Sequence, residues 1–166
     1  YLIFFVEKFN YIKIRITSFL DSSSNSYSQA EKASEAIISG GFFGKGIGEG
    51  TLNSKIPEAH TDFIISVISE EFGIIIILLI MLAFIFFGYN VFKKIRDTND
   101  NVFKMILTGL ISLLLLQAFV HVGVNLRVLP TTGMTLPFLS YGGSSIISIS
   151  IISGIILNLT KRRVTN

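Results

Sequence analysis

Three uninterrupted apolar runs dominate the hydrophobic pattern of the chain. Phe72 to Phe92 is 21 residues without a charge, closed by Lys93, Lys94 and Arg96. Met105 to Leu126 is a run of 22 between Lys104 and Arg127, and Gly142 to Thr160 is a third, closed by Lys161, Arg162 and Arg163. A spanning helix needs about 20 mostly apolar residues, because the hydrocarbon core of a bilayer is about 30 Å thick. The pattern therefore predicts spanning helices over 71–92, 105–126 and 142–160. Tyr1 to Val6 adds a short apolar stretch that meets a charge at Glu7. It is too short to span, and it lacks the basic n-region and cleavage site of a signal peptide. It reads as the end of a longer span, and the chain as a fragment.

Between that stretch and the first full span, residues 7–70 mix polar and apolar positions. Glu7 to Leu20 sets Lys8, Lys13 and Arg15 among apolar residues and predicts a short interfacial helix. Asp21 to Ser26 reads as a flexible turn. Tyr27 to Ser39 reads as a short amphipathic helix ended by Gly40 and Gly41. Gly44, Gly46, Gly48 and Gly50 suit an irregular loop. Pro57 fits the first turn of a further helix, expected to run through Glu58, Asp62 and Glu70 into the membrane. The pattern shows no internal repeat and no separate soluble domain.

Composition agrees with membrane residence. Half of the 166 residues are hydrophobic and 15% are charged, against about a quarter in soluble domains. With no cysteine, neither a disulfide nor a thiolate metal site can form. The net charge of +3 matters less than its placement. Lys93, Lys94, Arg96 and Lys104 lie in the 93–104 loop and Lys161, Arg162 and Arg163 in the 161–166 tail, whereas the 127–141 connection has only Arg127. Basic residues mark the cytoplasmic side, so the 93–104 loop and the C-terminus are expected inside, with 7–70 and 127–141 outside.

Four stretches offer chemistry. Gly44-Lys45-Gly46-Ile47-Gly48-Glu49-Gly50 has the look of a phosphate loop but lacks the preceding strand and following helix that such a loop needs, so its glycines read as turn formers. In Glu58-Ala59-His60-Thr61-Asp62, a continuous helix would put Glu58 and Asp62 on one face, continued by Ser66 and Glu70. His60 falls about 200° around from Asp62, a poor arrangement for joint metal ligation. Two readings stand: a solvated helix start with acids favoured by the macrodipole, or a carboxylate acting as general base or holding a divalent cation. Gln117, His121 and Asn125 recur every four residues in the second span as one polar stripe, suited either to interhelical hydrogen bonding or to a substrate path. Finally, 129–145 is uncharged and rich in helix breakers. It reads as a re-entrant, cavity-lining loop or as an ordinary outer loop.

Two strings carry a resemblance to a known family. Pro57-Glu58-Ala59-His60-Thr61-Asp62-Phe63-Ile64, followed by Glu70-Glu71-Phe72-Gly73, resembles the signature of the SEDS proteins (FtsW, RodA, SpoVE), as does Leu136-Pro137-Phe138-Leu139-Ser140-Tyr141-Gly142-Gly143-Ser144-Ser145. Both are long and in the right order, with two spans between them. Arg15 in its stretch, Ser39-Gly40-Gly41 and Gly44-Lys45-Gly46 are also similar to the family pattern. Gly48 to Thr51 with Glu70 to Gly73 resembles the FtsW branch, of alphaproteobacterial type, more than RodA. His121 departs from the pattern, which more often has Asn there.

The resemblance implies an all-α polytopic membrane protein, the chain being the C-terminal part of a ten-span bundle with a large periplasmic loop over 7–70. It implies a peptidoglycan glycosyltransferase that polymerises lipid II during septum synthesis and releases undecaprenyl pyrophosphate, in the bacterial inner membrane. The family's essential aspartate maps onto Asp62, which takes the base role, with a divalent cation (Mg or Mn) as a candidate cofactor. An aspartate near its usual value of about 3.9 is a weak base at pH 7, so the role calls for a raised value or a cation partner. Arg15 and Lys45 are candidates for the pyrophosphate or the groove wall, and Glu58, His60, Tyr141 and Ser144 are further candidate substrate contacts. Glu70 and Glu71 read as structural, holding the loop. The expected partners are lipid II, a class B penicillin-binding transpeptidase and other divisome membrane proteins, with no nucleic acid. A RodA-type elongation enzyme, a lipid II flippase using the 117/121/125 stripe, and a divisome scaffold are the alternative readings.

Overall fold

In the computed structural model, residues 12, 16–17, 25–51 and 59–161 are described. The expectations for 1–6, for most of 7–24, for Arg15, Pro57 and Glu58, and for the 162–166 tail lie outside them. Of the expected interfacial helix, Ile12, Ile16 and Thr17 are described, each helical. The described residues form helices and no strand: α1 (Asn25–Gly40), α2 (Ile64–Phe72), α3 (Ile74–Arg96), α4 (Asn101–Asn125) and α5 (Gly143–Thr160). The last three are long and apolar enough to cross a membrane.

The spans match the apolar runs in number and order but not at their ends. α3 runs on to Arg96, carrying Lys93, Lys94 and Arg96 in its last turn, where positive charge is favoured by the helix dipole. α4 begins four residues before its charge-free run because Asp100 caps it, its carboxylate accepting from the amides of Val102 and Phe103. A charge ends an apolar run without ending a helix. The flexible turn expected over 21–26 is shortened as well, since α1 already includes Asn25 and Ser26.

A larger correction concerns the helix expected to run from Pro57 into the membrane. Asp62 lies in a turn before α2, off any helix face shared with Ser66 and Glu70, and both of those side chains are fully buried. Nor does α2 continue into α3. Gly73 separates them with φ +83°, a left-handed conformation that favours glycine.

The reason for the break is the glycine-rich segment, which lies directly on the α2–α3 junction. Lys45 N donates to Glu70 O (2.9 Å), Gly46 N to Glu71 O (3.1 Å) and Ile74 N to Gly41 O (3.0 Å). The approach is so close that a Cβ on Gly40 would overlap the Ser69 carbonyl, and one on Gly73 the Phe42 carbonyl. The loop amides are engaged by backbone carbonyls, which excludes the phosphate-loop reading for Lys45 and Gly46.

Burial follows from this docking. α1 presents Ala30, Ala33, Ala36 and Ile37 on one face, and the three alanines pack with Ala59, Phe63, Val67 and Val124 in one cluster. Ile37 joins Ile65, Ile77, Ala118 and Leu136 in a second. At the opposite end of the spans, Val91, Leu107, Ile111 and Ile156 form a third core. α4 is the most enclosed of the three spans, with seven buried residues against three in α3 and two in α5. It is therefore the wall on which the other elements are hung.

Candidate functional site

The turn before α2 is held at three consecutive carbonyls by three separate donors. Tyr141 N donates to His60 O (3.0 Å), Ser140 Oγ to Thr61 O (2.8 Å) and Asn125 Nδ2 to Asp62 O (3.1 Å). Two of the donors come from the 127–142 connection and one from α4. Asp62 is half-buried, and its Oδ2 lies against Gly133, where a Cβ would sit at 3.6 Å. The backbone beneath this carboxylate is thus immobilised while the side chain keeps some access to solvent, which is how a reacting group is preorganised.

The 117/121/125 stripe supports the same site. Gln117 Nε2 donates to Thr135 O (2.9 Å), His121 Nδ1 to Met134 O (2.7 Å), and Asn125 Nδ2, besides Asp62 O, to His121 O (2.9 Å). The stripe therefore pins non-helical backbone to α4 and does not bridge two helices. This is the condition under which irregular backbone is tolerated among spans. The Met134 carbonyl can only accept, so Nδ1 carries the proton and Nε2 is an acceptor in the neutral ring. That atom and Asn125 Oδ1 are both buried without a hydrogen-bond partner among the described residues.

Around the turn, His60 and Tyr141 are exposed, and with Ile64 and Leu139 they line an open pocket of about 430 Å³. Ser144 is exposed in the first turn of α5, and its carbonyl accepts from Ser148 Oγ (3.0 Å). Lys45 lies elsewhere, on the α2–α3 junction, its ammonium 3.0 Å from the fully buried Glu70 carboxylate. Glu70 Oε1 also accepts from Thr51 N (3.0 Å), and Glu71 Oε1 from Gly48 N (3.3 Å). The two glutamates thereby hold the glycine-rich loop in place. His60, Asp62 and Tyr141 are brought together, whereas Lys45, Glu70 and Glu71 form a second group. Arg15 and Glu58 lie outside the described residues.

Ser140 was not singled out by its residue type. It is 3% exposed, accepts from Leu136 N (2.8 Å) and donates to Thr61 O. A lone serine inside an uncharged loop has no periodicity to mark it, and its importance comes from a partner 79 residues away.

Comparison with known proteins sets this geometry in a family. The model of the cell cycle protein family FTSW_RODA_SPOVE matches residues 1–165. A relative from Caulobacter vibrioides named "Probable peptidoglycan glycosyltransferase FtsW" is 39% identical over 93% of this chain and 40% of its own length. Relatives of the same name from Geobacter sp. (strain M18) and Enterococcus hirae are 42% and 36% identical, over 89% and 97% of this chain and 41% of their own lengths. These identities do not single out the alphaproteobacterial type. The chain spans about two fifths of the length of the relatives. A solved structure described as "Structural coordination of polymerization and crosslinking by a peptidoglycan synthase complex" contains a chain that superposes with a TM-score of 0.69 at 28% identity, over 90% of this chain and 41% of that one. The helices and three spans of the described residues, the strings around Asp62 and Tyr141, and these matches agree: this chain is a multi-pass membrane segment of the FtsW/RodA/SpoVE (SEDS) family, of FtsW-like type.

Proposed function

We propose that the full-length protein is a peptidoglycan glycosyltransferase that polymerises lipid II in septum synthesis. In this reading the 4-hydroxyl of one GlcNAc attacks C1 of the terminal MurNAc of the growing strand. The proton passes to Asp62, the C1–O bond breaks, and the electron pair leaves with undecaprenyl pyrophosphate. The observation that carries the reading is the clamp on carbonyls 60, 61 and 62, which fixes the backbone of Asp62 just before α2, two residues from His60 in the wall of an open pocket. A base must sit within hydrogen-bond reach of the hydroxyl it deprotonates, and a fixed turn supplies that positioning. His60 and Tyr141, in the pocket wall, are the proposed sugar contacts, and Glu58 and Ser144 are proposed as further substrate contacts. Arg15 is the proposed cation for the pyrophosphate, and Lys45, held by Glu70 on the α2–α3 junction, is proposed for the outer wall of the substrate groove.

Among the described residues no group of three or more His, Cys, Asp and Glu side chains could hold a metal ion. If a divalent cation is used, Asp62 is the residue proposed to hold it, and the cation would supply positive charge toward the departing pyrophosphate. The relatives' name supports glycosyl transfer, and the solved complex, concerned with polymerization and crosslinking, supports a class B penicillin-binding transpeptidase as partner. In this reading the protein lies in the inner membrane with the 93–104 loop and the C-terminus cytoplasmic, as the basic residues of those segments favour. A flippase that used the stripe as its path would need donors that α4 already engages with Thr135, Met134 and Asp62.

The test is lipid II polymerisation by the full-length protein with its cognate transpeptidase, wild type beside Asp62→Asn. Glycan strands from wild type, with a loss of about 10²-fold or more in the variant, are expected. Equal turnover in a folded, inserted variant would remove Asp62 from the base role. No strands from either protein would favour the flippase or scaffold.

A further inference from the structure

Two adjoining pockets lie end to end between α3 and α5, apart from the Asp62 site, and together form a groove. One segment, about 360 Å³, is lined by Ala83, Phe84, Phe87, Phe138, Ser153 and Leu157. The next, about 470 Å³, shares Phe87 and Leu157 and adds Asn90, Val91, Lys93, Lys94, Asp97 and Thr160. The spacings are those of single helix faces: 83, 87, 90/91 and 94 on α3, and 153, 157 and 160 on α5. The groove is thus apolar along its length and polar at the end where both helices stop.

That polar end is electropositive. Asn90 Nδ2 donates to Phe86 O (2.8 Å) and Thr160 Oγ1 to Ile156 O (2.7 Å), so these two donors are engaged within their own helices. No ion pair of Lys93 or Lys94 occurs among the described residues. Asp97 is the acid that shares the lining, and Lys161 follows Thr160 directly. At a rise of about 1.5 Å per residue, Lys94 lies about 16 Å along α3 from Ala83. That is about half of a 30 Å hydrocarbon core, the depth of one leaflet. A spanning helix seated here would need an apolar face over the full thickness, whereas the apolar lining ends at Lys93 and Lys94 after about half of it. A single-leaflet lipid does not meet that difficulty.

We propose that this groove is a binding site for an anionic phospholipid, its phosphate at Lys93 and Lys94 and an acyl chain along Phe87 and Leu157 toward Phe138. Basic pockets between spans on the cytoplasmic side are suited to acidic headgroups. Phe138 adds a second mark. It holds φ +66°, a conformation unfavourable for a bulky side chain, and its exposed ring lines the apolar segment. The strain is retained where the ring covers the groove. The site is independent of the glycosyl-transfer reading.

The test is native mass spectrometry of the full-length protein released from nanodiscs of equal parts phosphatidylglycerol and phosphatidylethanolamine. Wild type is expected to retain phosphatidylglycerol preferentially. Lys93→Gln with Lys94→Gln should lower that retention roughly 10- to 30-fold, while Lys104→Gln, outside the groove, should not change it. A photoreactive residue at Leu157, with both lysines intact, should give a phospholipid adduct. Equal retention of the two lipids, undiminished retention by the double variant, or an adduct with a polyprenyl pyrophosphate or with protein would each overturn the site.

Discussion

Asn125 shows how much one side chain can do here. Its amide reaches both the Asp62 and the His121 carbonyls from a fully buried position. Asn125→Leu keeps the size and removes the donor, which costs about 1–3 kcal/mol for the weakened buried acceptors. Because the lost bond ends on the residue that carries the carboxylate, the larger effect should be on turnover. A small displacement of a reacting group lowers rate by up to about 10²-fold. Initial rates of lipid II polymerisation by the full-length variant are therefore expected to fall 10- to 100-fold, with KM little changed. A variant as active as wild type would mean that Tyr141 and Ser140 hold the turn by themselves. The polar stripe was legible in the sequence from its four-residue spacing. Its direction was not, because spacing names a helix face and says nothing of what lies opposite it.

Among the elements, the α2–α3 junction is the most constrained piece of backbone. Gly40→Ala would drive a Cβ into the Ser69 carbonyl, backbone against backbone, with no flexible side chain to yield. Gly41, one residue on, has φ +58° but open space around it, and asparagine tolerates that conformation. Gly40→Ala should destabilise the full-length protein by at least about 3 kcal/mol, and Gly41→Asn by about 1 kcal/mol or less. Thermal unfolding of the two variants in the same detergent checks the ordering. The sequence marked these glycines as turn formers, yet not as the contact surface of a helix junction some 30 residues later. The spans were more legible than the junction: each apolar run found its helix, and the misplaced ends trace to an Asp100 cap and to basic residues tolerated in a last turn.

At the scale of the molecule, the distribution of basic residues sets an orientation that labelling can check. In a cysteine-free background of the full-length protein, Thr132→Cys should react with a membrane-impermeant thiol reagent on intact spheroplasts. Asn99→Cys should react only after permeabilisation. Both positions are exposed, so the reverse pattern would invert the proposed topology. By itself the sequence determined that this is a helical membrane protein with three complete spans within 71–160, and through two long strings it pointed to its family. Both are local properties: about 20 apolar residues partition into a bilayer whatever their neighbours are, and a chain there must satisfy its own backbone as a helix. The tertiary structure alone decided that Asp62 leaves the helix and sits on a clamped turn. The donors that hold it are 63 and 79 residues or more from their acceptors. Their pairing is set by the packing of α1, α2 and the 127–142 connection against α4, and no window of sequence contains it.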